Sequence, residues 1–180
     1  MHAAYAGYPT LEIAEILRFL WAHRTEYSVV YISGDTDSFA STRQDAAIYL
    51  PEMLADLQVD ILFTTRADIT EESIGRLSRV ASNLRASGRL LIGCVCISQL
   101  GIFALELRPI PSPISRVGLL ARLRQAGLVS VLAIRPILPQ VPLKDYIIIL
   151  VMARNFVDVV VGGDFYYLDE TDVISESWSE

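Results

Sequence analysis

Five apolar runs of strand length recur along this chain, with segments of helical periodicity between them, and this alternation is the strongest constraint on its fold. The strand-like runs cover residues 29–33, 61–65, 90–97, 129–135 and 157–161. The helical segments between them cover residues 42–57, 74–86, 115–126 and 144–154. Strands that alternate with helices in this way predict an α/β fold built on a parallel sheet.

A further helical segment, residues 11–23, precedes the first strand, so the predicted architecture opens on a helix. Thr10 has the residue type of an N-cap, and Glu12 falls in the first turn, where the helix dipole favours an acid. Gly88 and Gly127 each follow a helical segment and precede a strand, as left-handed C-caps do. We expect a single domain over residues 1–180, with a leading helix in 1–24 and an acidic tail in 168–180.

Strands two to five are nearly continuous apolar runs, which indicates that helices cover one face of the sheet and a packed interior the other. Five parallel strands with right-handed crossovers fit either a flat doubly wound sheet or an open partial (β/α) barrel. Periodicity does not choose between these two architectures.

Bulk properties exclude several classes of protein. The hydrophobic fraction is 52%, yet the longest apolar run, residues 146–153, is far shorter than the roughly 20 residues of a membrane span. The first ten residues lack the basic start and apolar core of a signal peptide, which favours a cytosolic protein. A net charge of −6 with dispersed arginines gives no support for nucleic acid as a partner.

Polar and glycine-bearing tips follow every predicted strand, and ligands of parallel α/β folds bind at this end of the sheet. The tips are Ser33-Gly34-Asp35-Thr36-Asp37, Thr64-Thr65-Arg66-Ala67-Asp68, Ser98-Gln99, Arg135-Pro136 and Gly162-Gly163-Asp164.

Each tip also has a purely structural interpretation. Asp35 and Asp37 have the residue type that closes an Asx-turn or caps a helix, and Asp37 is the better candidate for a helix cap. Arg66 fits a surface arginine, and Gly162-Gly163 fits a tight turn.

Cys94 and Cys96 are the only cysteines, and at spacing i, i+2 they share one face of a strand. Two thiols make neither a disulfide framework nor a four-ligand zinc site. We therefore interpret them as small buried core residues and assign no metal ligand. The sequence contains no Ser/His/Asp order, no P-loop and no histidine-carboxylate cluster. It therefore offers no residues for a hydrolytic or kinase-type mechanism.

Four segments together resemble the radical S-adenosylmethionine (SAM) superfamily, particularly the branch related to spore photoproduct lyase and DNA repair photolyases. They are "ISGDTDSF", "FTTRAD", "LELRPIPSPISRVGLLARLRQAGL" and "AGLVSVLAIRPILPQVPLKDYIIIL". Their order and spacing carry the likeness, which covers roughly residues 29–163 and corresponds to strands two to six of that family's barrel. Ser38 stands where the branch usually has proline.

The resemblance implies a truncated (β/α)6 partial barrel with SAM across its open top. It places Ser33, Gly34 and Asp35 at the methionyl amino group, where an acid suits an ammonium. It also places Arg135 where it could pair with the SAM carboxylate. The remaining positions that it implies at the SAM site are the ends of the other strands: Thr65, Arg66, Ser98, Gly162 and Gly163.

The sequence departs from the family at the iron-sulfur cluster. Radical SAM chemistry uses three cysteines, usually spaced CxxxCxxC after strand one, to hold a [4Fe-4S] cluster. The two cysteines here have the wrong number, spacing and position. Without strand one, the hydrophobic edge at residues 27–32 is predicted to pair with a protein partner or a second copy of the chain.

Three hypotheses follow. The chain is the SAM-binding part of a radical SAM enzyme whose cluster segment lies elsewhere or was lost. Alternatively, it is a degenerate, non-catalytic member that binds a partner through the open edge. The third is a small flavodoxin-like or Rossmann-like binding domain, which would show a flat sheet whose strand order reverses once.

Overall fold

The computed structural model of the protein describes residues 12–32, 37–39, 44–101 and 110–163. Helices and strands alternate through these residues as the sequence predicts, and a short 3₁₀ turn, Ala55–Leu57, follows the second helix. The elements are α1 Ile13–Ala22, β1 Val29–Ile32, α2 Gln44–Leu54, β2 Asp60–Thr65, α3 Glu71–Ala86, β3 Leu91–Cys96, α4 Pro113–Gln125, β4 Val129–Ile134, α5 Leu143–Ala153 and β5 Val159–Gly162.

Helix ends follow local capping chemistry. Helix α3 begins three residues earlier than its apolar periodicity predicts because Thr70 is its N-cap and accepts a hydrogen bond from the Ser73 amide at 3.2 Å. Helix α1 begins at Ile13 with Glu12 as its N-cap. The predicted start at residue 11 and the predicted N-cap Thr10 lie outside the described residues. The left-handed turns predicted after α3 and α4 are confirmed, with φ of +73° at Gly88 and +87° at Gly127.

The five strands form one parallel sheet in the order β1-β2-β3-β4-β5. A doubly wound sheet requires one reversal of strand order, so the flat flavodoxin-like or Rossmann-like alternative is excluded. Consecutive right-handed crossovers in one direction place all the helices on the same face of the sheet. The architecture is an α/β partial barrel, which confirms the fold class predicted from the sequence.

The helix-covered face of the sheet holds the main core. Ile61 and Phe63 of β2 and Val95 of β3 are fully buried there, against the apolar stripes of the helices. Gly93 lets α4 approach the sheet closely, because a Cβ at this position would lie 2.9 Å from Leu123 Cδ1 and 3.0 Å from Phe63 Cζ.

The opposite face of the strands, which we call the inner face, carries a second and smaller cluster. Every second residue of each strand points to this face. Because the strands pair in register, these residues lie side by side across the sheet: Cys94 pairs with Thr64 of β2 and with Val131 of β4. The buried members are Cys94, Cys96, Val131 and Ala133, with Leu62, Ile92 and Val129 packed against them.

Both edges of the sheet expose apolar side chains. Strand β1 is an edge strand, as predicted, and Tyr31 on its inner face is 50% exposed. The other edge was not predicted to be open, yet Val159, Val160 and Val161 of β5 are all exposed. Within the described residues, no helix is long and apolar enough to cross a membrane.

Candidate functional site at the carboxyl ends of the strands

The ends of β2, β3, β4 and β5 meet at one edge of the sheet and bring together most of the predicted site residues. The described residues include Thr65 and Arg66 after β2, Ser98 after β3, Arg135 after β4, and Gly162 with Gly163 at β5. Ser33, Gly34 and Asp35 lie outside the described residues, so their roles at the SAM amino group stay predictions.

Asp37 ties the tip of β1 to the tip of β2. Its Oδ2 accepts hydrogen bonds from the backbone amides of Arg66 at 2.7 Å and Ala67 at 3.0 Å. Its Oδ1 accepts from the Thr65 hydroxyl at 2.8 Å and from the Phe39 amide at 3.0 Å. The Asx-type bond to Phe39 confirms one sequence interpretation of Asp37. The interpretation as a helix cap stays a prediction, because residues 40–43, which precede α2, lie outside the described residues.

Thr65 belongs to the same network. Its side chain is buried on the helix-covered face, and its hydroxyl donates to Asp37 while accepting from the Ala67 amide at 2.9 Å. The hydroxyl therefore organises the loop after β2 and fixes the backbone from which the Arg66 side chain departs.

Arg66 reaches across the end of β3 towards β4. Its Nη2 donates to the Arg135 carbonyl oxygen at 3.4 Å. The guanidinium of Arg66 thus reaches the backbone of Arg135, on a non-adjacent strand, at the mouth of the inner face. A guanidinium at each of these two strand ends suits a carboxylate or another small anion.

Gly163 packs directly on Arg135. A Cβ at Gly163 would lie 2.4 Å from Arg135 Cγ, and the Gly163 amide donates to the Ile134 carbonyl oxygen at 3.0 Å. The glycine therefore allows the arginine to lie flat beside the end of β5. Gly162, by contrast, has open space around its Cα.

A buried arginine lies beneath this mouth. Arg116 of α4 is 1% exposed, and its Nη1 donates to the Cys96 carbonyl oxygen at 2.8 Å. Ser98 is buried two residues further along the chain, immediately after β3. The backbone at the end of β3 is therefore held by Arg116 from the helical layer.

The two thiols of β3 interact within this setting. Their mutual hydrogen bond, together with burial, raises the pKa of Cys94 above the range of a free thiol. The same bond lowers the pKa of Cys96 to about 7, and the charges of Arg66 and Arg116 act in the same direction against the opposing effect of burial. Of the two thiols, Cys96 is therefore the more readily ionised.

No protein-family model matches this sequence, and no curated protein sequence matches it either. Solved structures of SuiB from Streptococcus suis are similar to it in structure. SuiB bound to S-adenosylmethionine aligns with a TM-score of 0.67 and 12% identity, over 91% of this chain and 36% of SuiB. SuiB bound to its precursor peptide SuiA aligns with a TM-score of 0.63 and 10% identity, over 96% of this chain and 36% of SuiB.

This chain shares the fold of the aligned part of SuiB, an α/β partial barrel. It spans about a third of the length of SuiB, and at these identities the likeness concerns the fold alone. The likeness to the spore photoproduct lyase branch stays a prediction from the sequence.

Proposed function

We propose that this chain is the SAM-binding part of a radical SAM-type enzyme whose [4Fe-4S] ligands come from a segment outside these 180 residues. The observation that carries the proposal is the meeting of Arg66 and Arg135 at the carboxyl ends of a radical SAM-like partial barrel. Ligands of parallel α/β folds bind at this end of the sheet, and the neighbour SuiB was crystallised with SAM.

The donor set at the mouth fits the polar groups of SAM. Arg135, with Arg66 beside it, supplies positive charge for the methionyl carboxylate. Asp35 keeps its proposed role at the amino group. Gly162 and Gly163 present backbone without side chains at the end of β5, where the adenine is proposed to lie.

The residues of this chain do not fit a [4Fe-4S] cluster. Such a cluster needs three thiolates, each bound to a different iron, whereas the sequence has only Cys94 and Cys96, two residues apart on one buried strand. We therefore assign no redox step to the residues of this chain. Their proposed task is to bind and orient SAM.

A second candidate function is a non-catalytic, partner-binding subunit. The observation that favours it is the position of β1 at the edge of the sheet, where Val29 and Tyr31 are exposed. A protein partner or a second copy would extend the sheet there, at the edge where the family's barrel has its first strand.

Calorimetric titration with SAM tests the proposed site. We expect Arg135→Gln to weaken SAM binding by about tenfold to a hundredfold, because a hydrogen bond to a charged group contributes about 1.5–3 kcal/mol. Arg79→Gln is a matched control, since Arg79 is exposed on α3, in the helical layer away from the inner face. If the two variants bind SAM with equal affinity, or if the wild-type chain does not bind SAM, the proposed SAM site at Arg135 is wrong.

Restoration of the cluster separates the two functions. The chain alone should form no [4Fe-4S] cluster under anaerobic reconstitution, because it lacks a third thiol. Addition of a segment that carries CxxxCxxC should give SAM cleavage if the chain is the SAM-binding part of an enzyme. If the segment assembles its cluster and binds this chain without any cleavage, the partner-binding function is favoured instead.

A further inference from the structure

We propose that residues 167–178 form an amphipathic helix that docks on α5 and on the helix-covered face of β5. This segment lies outside the described residues, and the proposal does not depend on the proposed SAM function. It rests on an apolar surface that the described elements leave uncovered, and on the spacing and charge of the segment that follows β5.

The helical layer of the described residues stops short of β5. Val95, Leu132 and Val160 lie in one row on the helix-covered face, because they pair in register from β3 to β5. Val95 and Leu132 are 0% exposed, whereas Val160 is 45% exposed. The fifth strand therefore lacks, among the described residues, the cover that the helices give to its neighbours.

Helix α5 borders this gap with an apolar stripe, which we call the α5 stripe. Leu143, Ile147 and Val151 follow the i, i+4, i+8 spacing of one helix face and are 74%, 52% and 54% exposed. Asp145 is on the opposite flank of α5, and its Oδ2 lies 4.0 Å from the position of a Cβ on Gly101, which follows β3. With the strand order β3-β4-β5, the α5 stripe therefore faces away from β3 and towards the free side of β5.

The segment after β5 starts beside this gap and has the pattern of a helix that fits it. Strand β5 ends at Gly162, at the same end of the sheet where α5 begins, so a short connection brings Tyr167 beside the start of α5. Tyr167, Ile174 and Trp178 are spaced i, i+7, i+11, which aligns them on one face of a helix. A helix over 167–178 is about 18 Å long and α5 is about 16 Å long, so the two match in length.

The charges favour this segment over a second copy of α5 as the cover. The exposed side chains beside the two ends of the α5 stripe are basic, Lys144 and Arg154. Two copies of α5 packed on each other would bring these like charges together, which opposes the contact. Residues 164–180 contain no basic residue and six acidic ones, which offset the two cations: Asp164, Asp169, Glu170, Asp172, Glu176 and Glu180.

The fluorescence of Trp178 tests the docking in the full chain. Trp21→Phe leaves Trp178 as the single tryptophan, because the sequence contains two. In this background we expect Trp178 to emit at shorter wavelength than tryptophan in water and to be protected from quenching by acrylamide, because docking buries its indole. Ile147→Glu should shift the emission to longer wavelength and abolish the protection. Arg79→Glu is the matched control, since it places the same side chain at an exposed position of α3 and should change neither.

Further measurements keep the test decisive. Circular dichroism shows whether Ile147→Glu keeps the fold, and if it does not, Leu143→Glu replaces it at a more exposed position of the α5 stripe. Water-like emission of Trp178 in the Trp21→Phe chain would overturn the proposal, and so would protection that persists in the folded glutamate variant. Sedimentation over a range of concentrations identifies a second copy as the cover: protection of Trp178 only where the chain is dimeric would overturn the proposal as well.

Discussion

Replacement of Arg116 by alanine is expected to lower the free energy of unfolding by about 3–5 kcal/mol. The side chain is 1% exposed and is among the largest fully buried side chains of the described residues. Its removal leaves a cavity between α4 and β3 and takes the Nη1 donor away from the Cys96 carbonyl oxygen. Urea unfolding, with the slope of the transition compared between variants, measures the loss.

Arg124→Ala is the matched control on the same helix. Arg124 is exposed and forms an ion pair with Asp158 at 3.3 Å and a hydrogen bond to the Asn155 carbonyl oxygen. Exposed pairs of this kind contribute about 0–1 kcal/mol. If Arg116→Ala costs no more than Arg124→Ala, the hydrogen bond to Cys96 does not hold the end of β3.

The apolar spacing of α4 predicts that Arg116 is buried, although a charged residue is usually exposed. Arg116, Leu119, Leu120 and Leu123 follow the i, i+3, i+4, i+7 spacing of one helix face, and all four are buried. A sequence interpretation that places every arginine on a solvated helix surface does not predict the burial of Arg116. The periodicity of the neighbours is therefore better evidence for this side chain than its charge is.

The order of elements could be predicted because it depends on local periodicity and on capping glycines. The runs around Ile61, Leu91 and Val129 are apolar on both faces, and Gly88 and Gly127 end the helices before two of them. The choice between a flat sheet and a partial barrel depends on strand order. Pairings of residues about 30 positions apart, such as Val30 with Ile61, decide that order, and no local pattern encodes them.

The contacts of the candidate site are equally long-range. Asp37 and Arg66 were both predicted at strand ends, but the bond from the Arg66 amide to Asp37 joins residues from two different strand ends. The reach of Arg66 across β3 to Arg135 spans 69 positions. Residue types predicted which tips are polar, whereas the register of the sheet decides which of them meet.

The open edge at β5 was missed for a related reason. The run of valines from Val159 to Val161 is typical of a strand buried on both faces, yet all three side chains are exposed. Ile147, Ile148 and Val151 of α5 are also exposed, although their residue types are typical of a buried helix. An apolar pattern predicts that a surface needs cover, but it does not identify what covers it.

Asp37→Ala is expected to lower the free energy of unfolding by about 2–4 kcal/mol, because it leaves buried or half-buried donors at two strand tips without their acceptor. Asp37→Asn should lower the free energy of unfolding by less than Asp37→Ala, because it keeps one acceptor oxygen. Some loss remains, because the amide nitrogen cannot accept from the N–H donors that face it. Asp56→Asn, at an exposed aspartate in the 3₁₀ turn, is the matched control and should change stability by less than about 0.5 kcal/mol.

Hydrogen exchange makes the Asp37 test specific. The amides of Arg66 and Ala67 donate to Asp37, so their protection should fall in Asp37→Ala while the amides of β3 keep theirs. Because the same bonds fix the backbone beneath the Arg66 side chain, SAM binding should weaken in parallel with the lost protection. A variant that loses protection uniformly across the sheet would show that Asp37 acts on global stability, and unchanged protection at Arg66 and Ala67 would show that the two tips are held together by other contacts.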